Sequence, residues 1–275
     1  MSVTPLTSIP PILPRWLTCR LPLRIKTWLF WLRVRLLYGG GRLRCNICRQ
    51  SFRRMLPFDC SRRFHPLGVY LRKSYADCFC PYCYSSFRHR LFWGVMEGRL
   101  GELARSQART LRVLHFAPEH HLKPLLSSLP YVEYETADHL MPDVDRKLDL
   151  TNLQLGDGSR DVIIAIHVLE HIADHHAAIS EIFRVLSPGG MAAIMVPVFG
   201  TRTHEDSSLV SKEDRVRYFG QANHVIAFGM DLQHVFVQYG FSVEIIHHRD
   251  VFQEKECGGS HIEDVEGWLF LATKP

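Results

Sequence analysis

Acidic side chains are scarce in the first part of this chain. Residues 1–110 contain 20 Lys and Arg but only four Asp and Glu, a net charge of +16, whereas residues 111–275 contain 13 against 24, a net charge of −11. The formal charge of the whole chain, +5, hides this division. Such an asymmetry predicts two units with different partners.

The sequence also lacks an apolar run long enough to be a signal peptide or a membrane span. The first 20 residues are rich in proline, and the segment from Leu23 to Tyr38 is short and carries four basic residues. We therefore expect a cytoplasmic protein with a proline-rich tail and one helix in residues 1–41. Apolar residues on both sides of this helix leave two alternatives open, a helix packed between protein surfaces or a basic anchor peripheral to a membrane.

Cysteine is almost absent after residue 84, where only Cys257 occurs, while seven cysteines precede it. In a reducing compartment, clustered cysteine pairs indicate a metal site before they indicate disulfides. Cys45 and Cys48 form one C-x-x-C pair, and Cys80 and Cys83 form a second. Two such pairs complete a closed tetrahedral site, so we predict a structural zinc ion in a zinc-ribbon-like module over residues 42–100.

Two further cysteines of this module are not expected to bind the zinc. Cys78 lies too close in sequence to Cys80 to form a standard knuckle with it, and Cys60 is not part of a pair. Free thiols, either buried or redox-active, are the alternative interpretation of the whole group.

The third predicted unit covers residues 101–275, and from Leu111 onward its pattern is one of short apolar runs that alternate with helical segments. We predict seven strands, at 112–117, 132–137, 146–150, 161–167, 191–198, 241–248 and 267–273, and helices near 119–128, 174–186 and 230–239. This alternation is typical of an α/β fold with a mostly parallel sheet. In such a fold the ligand crevice lies at the carboxyl ends of the central strands.

Several residues that follow these strands are suited to bind a nucleoside cofactor. Asp138 ends the second strand, where a carboxylate can hold the paired hydroxyls of a ribose, and Asp149 with Leu150 follows the third. After the fourth strand comes the phrase His167-Val-Leu-Glu-His171, and Pro-Gly-Gly at 188–190 precedes the fifth.

These phrases resemble the class I S-adenosylmethionine-dependent methyltransferases of the type 11 kind. The likeness covers about residues 111–273 and rests on DVIIAIHVLEHI and EIFRVLSPGGMAAIMVPV. A narrower likeness, carried by VLHFAPE, FGQANHV and the upstream cysteine pairs, is to a subgroup that joins a cysteine module to this fold. The resemblance implies a Rossmann-like seven-stranded sheet, S-adenosylmethionine as cofactor, and cofactor contacts from Asp138, Asp149, Leu150 and His167.

The first motif of that superfamily is normally an acidic residue followed by glycines, and this chain departs from it. The matching positions are His115, Ala117, Glu119 and His121, and no glycine is left. We expect cofactor contacts from His115, Ala117, Pro118 and Glu119, with the methionine end held differently because the backbone cannot approach as closely. Glu119 either contacts the ammonium or sulfonium side or favours the N-terminus of the next helix.

Methyl transfer to a hydroxyl or an amine needs a base, and His167 and His171 are the candidate catalytic residues. Purely structural roles for both are the alternative, and Glu170 is expected to cap the following helix. His224, in FGQANHV, lies in a predicted loop on the acceptor side. The adjacent histidine pairs, such as those at 120–121 and 175–176, predict no metal site.

Three functions remain open from the sequence. The first is a methyltransferase for a small-molecule or glycan-type acceptor. The second is an RNA methyltransferase whose basic module holds the substrate, and the third is a non-catalytic binding protein that kept the fold. The basic part either docks on the acidic part or binds an external anionic partner, RNA or an anionic membrane surface.

Overall fold

The computed structural model describes residues 22–59, 74–219, 221–252, 265 and 267–275. Its helices are α1 Leu23–Tyr38, α2 Phe87–Gln107, α3 Lys123–Ser127, α4 His175–Val185, α5 Lys212–Phe219, α6 Leu232–Gln238 and α7 His248–Val251. Its strands are β1 Gly39–Arg44, β2 Ser51–Phe52, β3 Leu56–Asp59, β4 Ser74–Phe79, β5 Leu111–Phe116, β6 Val132–Asp138, β7 Arg146–Lys147, β8 Arg160–Ile166, β9 Leu186–Met195, β10 His204–Glu205, β11 Ile226–Ala227, β12 Ser242–His247 and β13 Trp268–Thr273.

Seven strands form one sheet in the order β12-β13-β9-β8-β5-β6-β7. The strands from β9 to β7 run parallel, while β13 runs antiparallel to both of its neighbours. The prediction of a mostly parallel seven-stranded α/β sheet is thereby confirmed. The chain leaves β5 toward β6 on one side and returns to β8 on the other, which places a topological switch point between β5 and β8.

Two apolar cores cover the two faces of this sheet. Strand side chains alternate between the faces, so Leu114 of β5 packs with Ile179 of α4 on one side, and Val113 packs with Leu91 and Met96 of α2 on the other. The helix α2 runs through residue 100, where the sequence suggested a domain boundary. This single continuous helix therefore joins the cysteine region to the sheet.

The amino-terminal helix α1 buries only one of its two apolar stripes. Val34 is buried and Phe30 is partly buried against Leu56 and Tyr82 of the cysteine region. Trp28 on the other stripe is 61% exposed. Within the described part of the chain, none of the helices has both the length and the apolar character that crossing a bilayer requires.

A buried carboxylate ties the amino-terminal ends of the central strands together. Asp161 of β8 accepts hydrogen bonds from the backbone N–H of Arg112 in β5 at 2.8 Å and from the Ser187 hydroxyl at 2.7 Å. Burial opposes the charge of Asp161, but hydrogen bonds from the Arg112 and Arg109 guanidinium groups outweigh it and hold its pKa well below the ordinary value. The edge opposite the ligand crevice is thus fixed by charge-assisted bonds.

We predict that Asp161→Ala lowers the free energy of unfolding at pH 7 by about 2–4 kcal/mol, because charged hydrogen bonds are lost and Ser187 is left buried. A carboxyl group with a depressed pKa stabilises the fold above its unfolded-state pKa, so the difference from the parent protein should shrink as the pH falls below about 4. Urea unfolding at pH 7 and pH 3 measures both effects. The exposed pair of Asp157 with Arg184 supplies the control, since Asp157→Ala should change stability by less than about 1 kcal/mol.

Candidate functional site

The crevice at the switch point is bordered by two residues with unusual backbone conformations. Ala117 directly follows β5 with a φ of 47°, and His167 directly follows β8 with a φ of 54°. Both still make a strand-like hydrogen bond, from Ala117 N–H to Ala137 O at 2.9 Å and from His167 N–H to Met195 O at 2.8 Å. Left-handed conformations of residues other than glycine are uncommon and concentrate at functional sites.

The acidic residues after β6 and β7 are held in tight turns. One oxygen of Asp138, Oδ1, accepts from the backbone N–H groups of Leu140 and Met141 at 2.6 and 2.7 Å. One oxygen of Asp149 accepts in the same way from the backbone and hydroxyl of Thr151. These bonds orient each carboxylate through Oδ1. The side chain of Leu150, next to Asp149, is buried in the core.

Glu119 lies in a charged cluster between the crevice loop and the start of α2. Its Oε1 accepts from Nε of Arg88 at 3.0 Å and from Nε2 of His89 at 2.8 Å. His89 carries its proton on Nε2 because its Nδ1 accepts from the Ser86 backbone. Burial opposes ionisation, but His89 and Arg88 hold the pKa of Glu119 at about 2. The second oxygen, Oε2, is buried and has no hydrogen-bond partner among the described residues.

The side chain of His115 contacts the neighbouring strand β6. It is fully buried, and its Nδ1 lies 2.9 Å from the Tyr134 hydroxyl of the neighbouring strand β6. Burial lowers the pKa of His115 to about 4, so the ring is neutral at pH 7. In this position the ring links two strands beneath α2. The adjoining Pro118 is half-buried in the crevice loop.

His167 and Glu170 form a pair at the end of β8. Nδ1 of His167 lies 3.1 Å from Oε1 of Glu170, and Nε2 of His167 is buried without a hydrogen-bond partner in the part of the chain described. The expectation that Glu170 caps the following helix is wrong. Asp174 accepts from Ala177 N–H as the N-cap of α4, because it directly precedes the helix while Glu170 lies within the 3-10 turn Leu169–His171.

His171 and His224 meet beside Glu170 although 52 residues separate them in sequence. The backbone N–H of Val225 donates to the carbonyl of Glu170 at 2.9 Å, which aligns the two segments. Nδ1 of His171 donates to Asn223 O at 3.0 Å, and Nδ1 of His224 donates to Phe219 O at 3.1 Å. The two ring centres are 4.9 Å apart.

The four cysteines chosen from the sequence are close together in the structure. The Sγ atoms of Cys45 and Cys83 are 3.8 Å apart, and those of Cys48 and Cys80 are 3.6 Å apart. Tetrahedral zinc with Zn–S bonds of about 2.3 Å separates its sulfur ligands by about 3.8 Å. The sulfur positions therefore fit a zinc ion. The side chain of Cys78, and all of Cys60, lie outside the residues whose placement is described.

The two cysteine turns have the same backbone structure. Arg49 N–H donates to Cys45 O, and Tyr84 N–H donates to Cys80 O, each four residues after the first cysteine. Arg49 and Tyr84 also have nearly equal φ values, 59° and 60°. This repetition is the knuckle geometry that a C-x-x-C pair adopts around a metal.

A histidine connects this cysteine region to the crevice loop. Nε2 of His121 donates to the Cys83 carbonyl at 2.6 Å, and its ring stacks on His89 at 4.8 Å between ring centres. Burial lowers the pKa of His121 to about 4. The cysteine region and the loop that holds Glu119 are consequently parts of one packed unit.

Two groups at this edge were not predicted from the sequence as parts of a site. For Arg88 the sequence indicated only the general positive charge of residues 1–110, and its contact with Glu119 depends on how α2 packs across the sheet. The grouping of Glu170 with His171 and His224 was also missed. The only sequence signal was the phrase containing His224, because no local spacing relates it to residue 170.

The family model described as a methyltransferase domain matches residues 130–194. A protein of Mycolicibacterium smegmatis, named a probable S-adenosylmethionine-dependent methyltransferase, is 44% identical over 57 residues. This alignment covers 20% of the present chain and 22% of the relative, so the chain spans about a fifth of the length of the curated relative it matches.

Solved structures with a similar arrangement include the YcgJ protein from Bacillus subtilis. It is 16% identical, with a TM-score of 0.43, and the match covers 65% of this chain and 98% of that protein. Phosphoethanolamine N-methyltransferase 2 of Haemonchus contortus, solved with S-adenosyl-L-methionine, is 14% identical with a TM-score of 0.43, covering 65% and 52% of the two chains.

The matched segment runs from the turn before β6 to the interior of β9, so it contains Asp138, the strand β8 and the His167–Glu170 pair. Residues 130–194 of the chain are therefore similar to a methyltransferase domain, and a short part of the chain is similar to a probable S-adenosylmethionine-dependent methyltransferase.

Proposed function

We propose that this protein transfers a methyl group from S-adenosylmethionine to a small-molecule or glycan-type acceptor. The observation that carries the proposal is the paired left-handed turn at Ala117 and His167, at the switch point of a sheet whose next strand ends in Asp138. When bound, S-adenosylmethionine supplies a methyl group activated by its sulfonium charge. The residues of the crevice bind and orient this cofactor and hold the acceptor in line with it.

The nucleoside end fits the carboxylates after β6 and β7. Oδ2 of Asp138 accepts hydrogen bonds from the ribose hydroxyls, because Oδ1 is already engaged by backbone N–H groups. Asp149, with its backbone turn at Thr151, borders the adenine side, and the buried Leu150 supports it from the core. Both carboxylates are oriented before the ligand arrives, which reduces the entropy lost on binding.

The amino-acid end of the cofactor is a zwitterion, and the cluster around Glu119 carries both complementary charges. The unpartnered Oε2 of Glu119 would accept from the ammonium group, and Arg88, which is held beside Glu119, would pair with the carboxylate. A buried carboxylate oxygen without a partner is costly, so a cationic ligand stabilises it. In a glycine-containing first motif, the backbone approaches the methionine end of the cofactor. In this chain Glu119 and Arg88 would take over that role.

His167 is the base that removes the acceptor proton. Its Nδ1 lies 3.1 Å from Glu170, which fixes the ring, so Nε2 is the nitrogen that would take the proton. The left-handed backbone of the same residue lies at the end of β8, where it would border the bound cofactor. His171 is the second catalytic candidate, but it is exposed and its Nδ1 is used by Asn223.

The cysteine cluster binds zinc as a structural ion. Four thiolates close the coordination sphere and leave no position for a reacting water. The ion holds the two knuckles together and, through the bond between His121 and Cys83, supports the loop of Glu119. In addition to this structural role, the cysteine region would help to position the acceptor.

An RNA acceptor is the second candidate function. A groove lined by Arg35, Arg49 and Arg53, together with Tyr82, lies between α1 and the first cysteine knuckle. These guanidinium groups suit phosphates of RNA or of an anionic membrane surface. Other arginines are already paired within the protein, which argues against an external partner. Arg99 of α2 pairs with Glu244, and Arg109 in the following turn pairs with Asp161.

We predict one tightly bound zinc ion per chain in protein purified without added metal. Cys80→Ser should abolish it, because a three-thiolate site binds far more weakly, whereas Cys60→Ser and Cys78→Ser should retain it. Elemental analysis of the purified variants measures this. Loss of zinc in Cys78→Ser with retention in Cys80→Ser would show that the second knuckle was assigned to the wrong pair.

We predict different ligand dependences for the two carboxylates that contact the cofactor. Asp138→Ala should weaken binding of both S-adenosylmethionine and 5′-methylthioadenosine by about 2–3 kcal/mol, because both ligands carry the ribose. Glu119→Gln should weaken only S-adenosylmethionine, by about 1.5–3 kcal/mol, since methylthioadenosine has no amino-acid end. Isothermal titration calorimetry measures both, with the exposed Asp143→Asn as the unaffected control. Parental affinity of Asp138→Ala for both ligands is incompatible with the ribose assignment.

The methyl-transfer proposal is tested with S-adenosylmethionine carrying a labelled methyl group and cell extract separated into small-molecule, glycan, RNA and protein fractions. We expect label in the small-molecule or glycan fraction. The transfer rate of His167→Ala should be at least about 100-fold lower than that of the parent protein, as loss of a general base predicts. Label confined to RNA supports the second candidate. Binding of the cofactor with no transfer to any fraction supports a non-catalytic binding protein.

A further inference from the structure

A second metal site is suggested by a buried carboxylate. The side chain of Glu170 is 1% exposed; its Oε1 lies 3.1 Å from Nδ1 of His167, and its Oε2 has no hydrogen-bond partner among the described residues. A buried carboxylate of this kind requires a cation for compensation.

Two of the surrounding imidazoles are oriented as metal ligands are. A carbonyl oxygen can only accept, so the bonds to Asn223 O and Phe219 O place the protons of His171 and His224 on Nδ1. In the neutral form of either ring, the lone pair is then on Nε2. Metal-binding histidines usually donate their other ring N–H to a carbonyl or carboxylate in this manner, which fixes the tautomer and the ring plane.

The three side chains already lie near one another. One ligand atom from each of Glu170, His171 and His224 can be chosen so that all three are within 4.8 Å of one another. The 3-10 turn of Glu170 and the segment before β11 are joined by the hydrogen bond from Val225, so the spacing is set by backbone structure. Ligands about 2.1 Å from an ion are about 3.4 Å apart in a tetrahedral site, and ion binding therefore draws the side chains slightly together.

We propose that Glu170, His171 and His224 bind one divalent transition-metal ion at the acceptor side of the crevice. Two imidazoles and one carboxylate favour Mn²⁺, Fe²⁺, Co²⁺ or Zn²⁺ over Mg²⁺ and Ca²⁺, which prefer all-oxygen sites. Three protein ligands leave coordination positions open, and an oxygen of the acceptor or of water completes the sphere. His167 contacts Glu170 from the other side and positions it.

This site differs from the cysteine cluster in chemistry and in consequence. The thiolate cluster is closed and soft, whereas the site at Glu170 is open and built from nitrogen and oxygen atoms. Mn²⁺ has little affinity for thiolates. It therefore probes the Glu170 site in full-length protein that keeps its cysteine cluster intact.

The test is a titration of the full-length protein with Mn²⁺ alone, followed by the electron paramagnetic resonance signal of the free ion. We expect one Mn²⁺ per chain in the parent protein, and an affinity at least about tenfold lower in His171→Ala, because a ligand is removed. His171 is exposed, so its replacement should not unfold the chain, and equal urea midpoints without metal would verify this. His176→Ala, which removes another exposed histidine nearby, is the matched control and should bind as the parent does.

Glu170→Gln provides an independent variant that keeps the shape of the side chain and removes its charge, and it should also lose at least about tenfold in affinity. Saturating Mn²⁺ should raise the urea midpoint of the parent protein but not that of His171→Ala. Equal Mn²⁺ binding by the parent protein and His171→Ala, or equal weakening in His176→Ala, would overturn the proposal. No cofactor or acceptor enters the experiment, so failure of methyl transfer and failure of this site are distinguishable.

Discussion

Parallel pairing of β5 with β8 is the interaction on which the rest of the site depends. Because the two strands run in the same direction and share a register from Val113–Val162 to Phe116–Ala165, their carboxyl ends open at one edge of the sheet. After each strand the chain turns away through a residue in the left-handed conformation, Ala117 after β5 and His167 after β8. The crevice follows from this divergence, and Asp138 enters it from the next strand.

The opposite edge of the same two strands has the opposite physical character. There Asp161 is saturated with hydrogen bonds from two arginines, a backbone N–H group and a hydroxyl. At the crevice edge, by contrast, Glu119 and Glu170 are buried with oxygens that lack partners among the described residues. Satisfied polar groups stabilise one edge, and unsatisfied ones at the other are the groups that a ligand or an ion would stabilise.

The charge division of the chain is partly resolved within the fold. Arg88, Arg99 and Arg109, all on the basic side of the division, form ion pairs with Glu119 of the crevice loop, Glu244 of β12 and Asp161 of β8, respectively. These contacts join α2 to the sheet, and His121 joins the same region to the knuckle of Cys83. Arg35, Arg49 and Arg53 line a groove farther from the sheet, where the positive charge is accessible to phosphates.

The sequence by itself determined the features whose causes are local. Apolar runs bounded by turns predicted all seven strands of the sheet, and the two C-x-x-C pairs predicted which four thiols lie together, because each short turn brings its own pair into contact. The left-handed turn at Ala117 was not predictable, since an alanine carries no preference for that conformation. Nor did the sequence indicate that β13 lies antiparallel between β9 and β12.

Only the tertiary structure decided which charged and ligating groups face one another. Glu170 and His171 are adjacent in sequence, but His224 reaches them through the hydrogen bond of Val225, and Arg88 reaches Glu119 through the packing of α2 across the sheet. Local propensity carries no information about such distant pairings, which depend on sheet order and helix placement. Glu170 illustrates the difference: its position before a helix suggested a cap, whereas the fold buries it beside His167, His171 and His224.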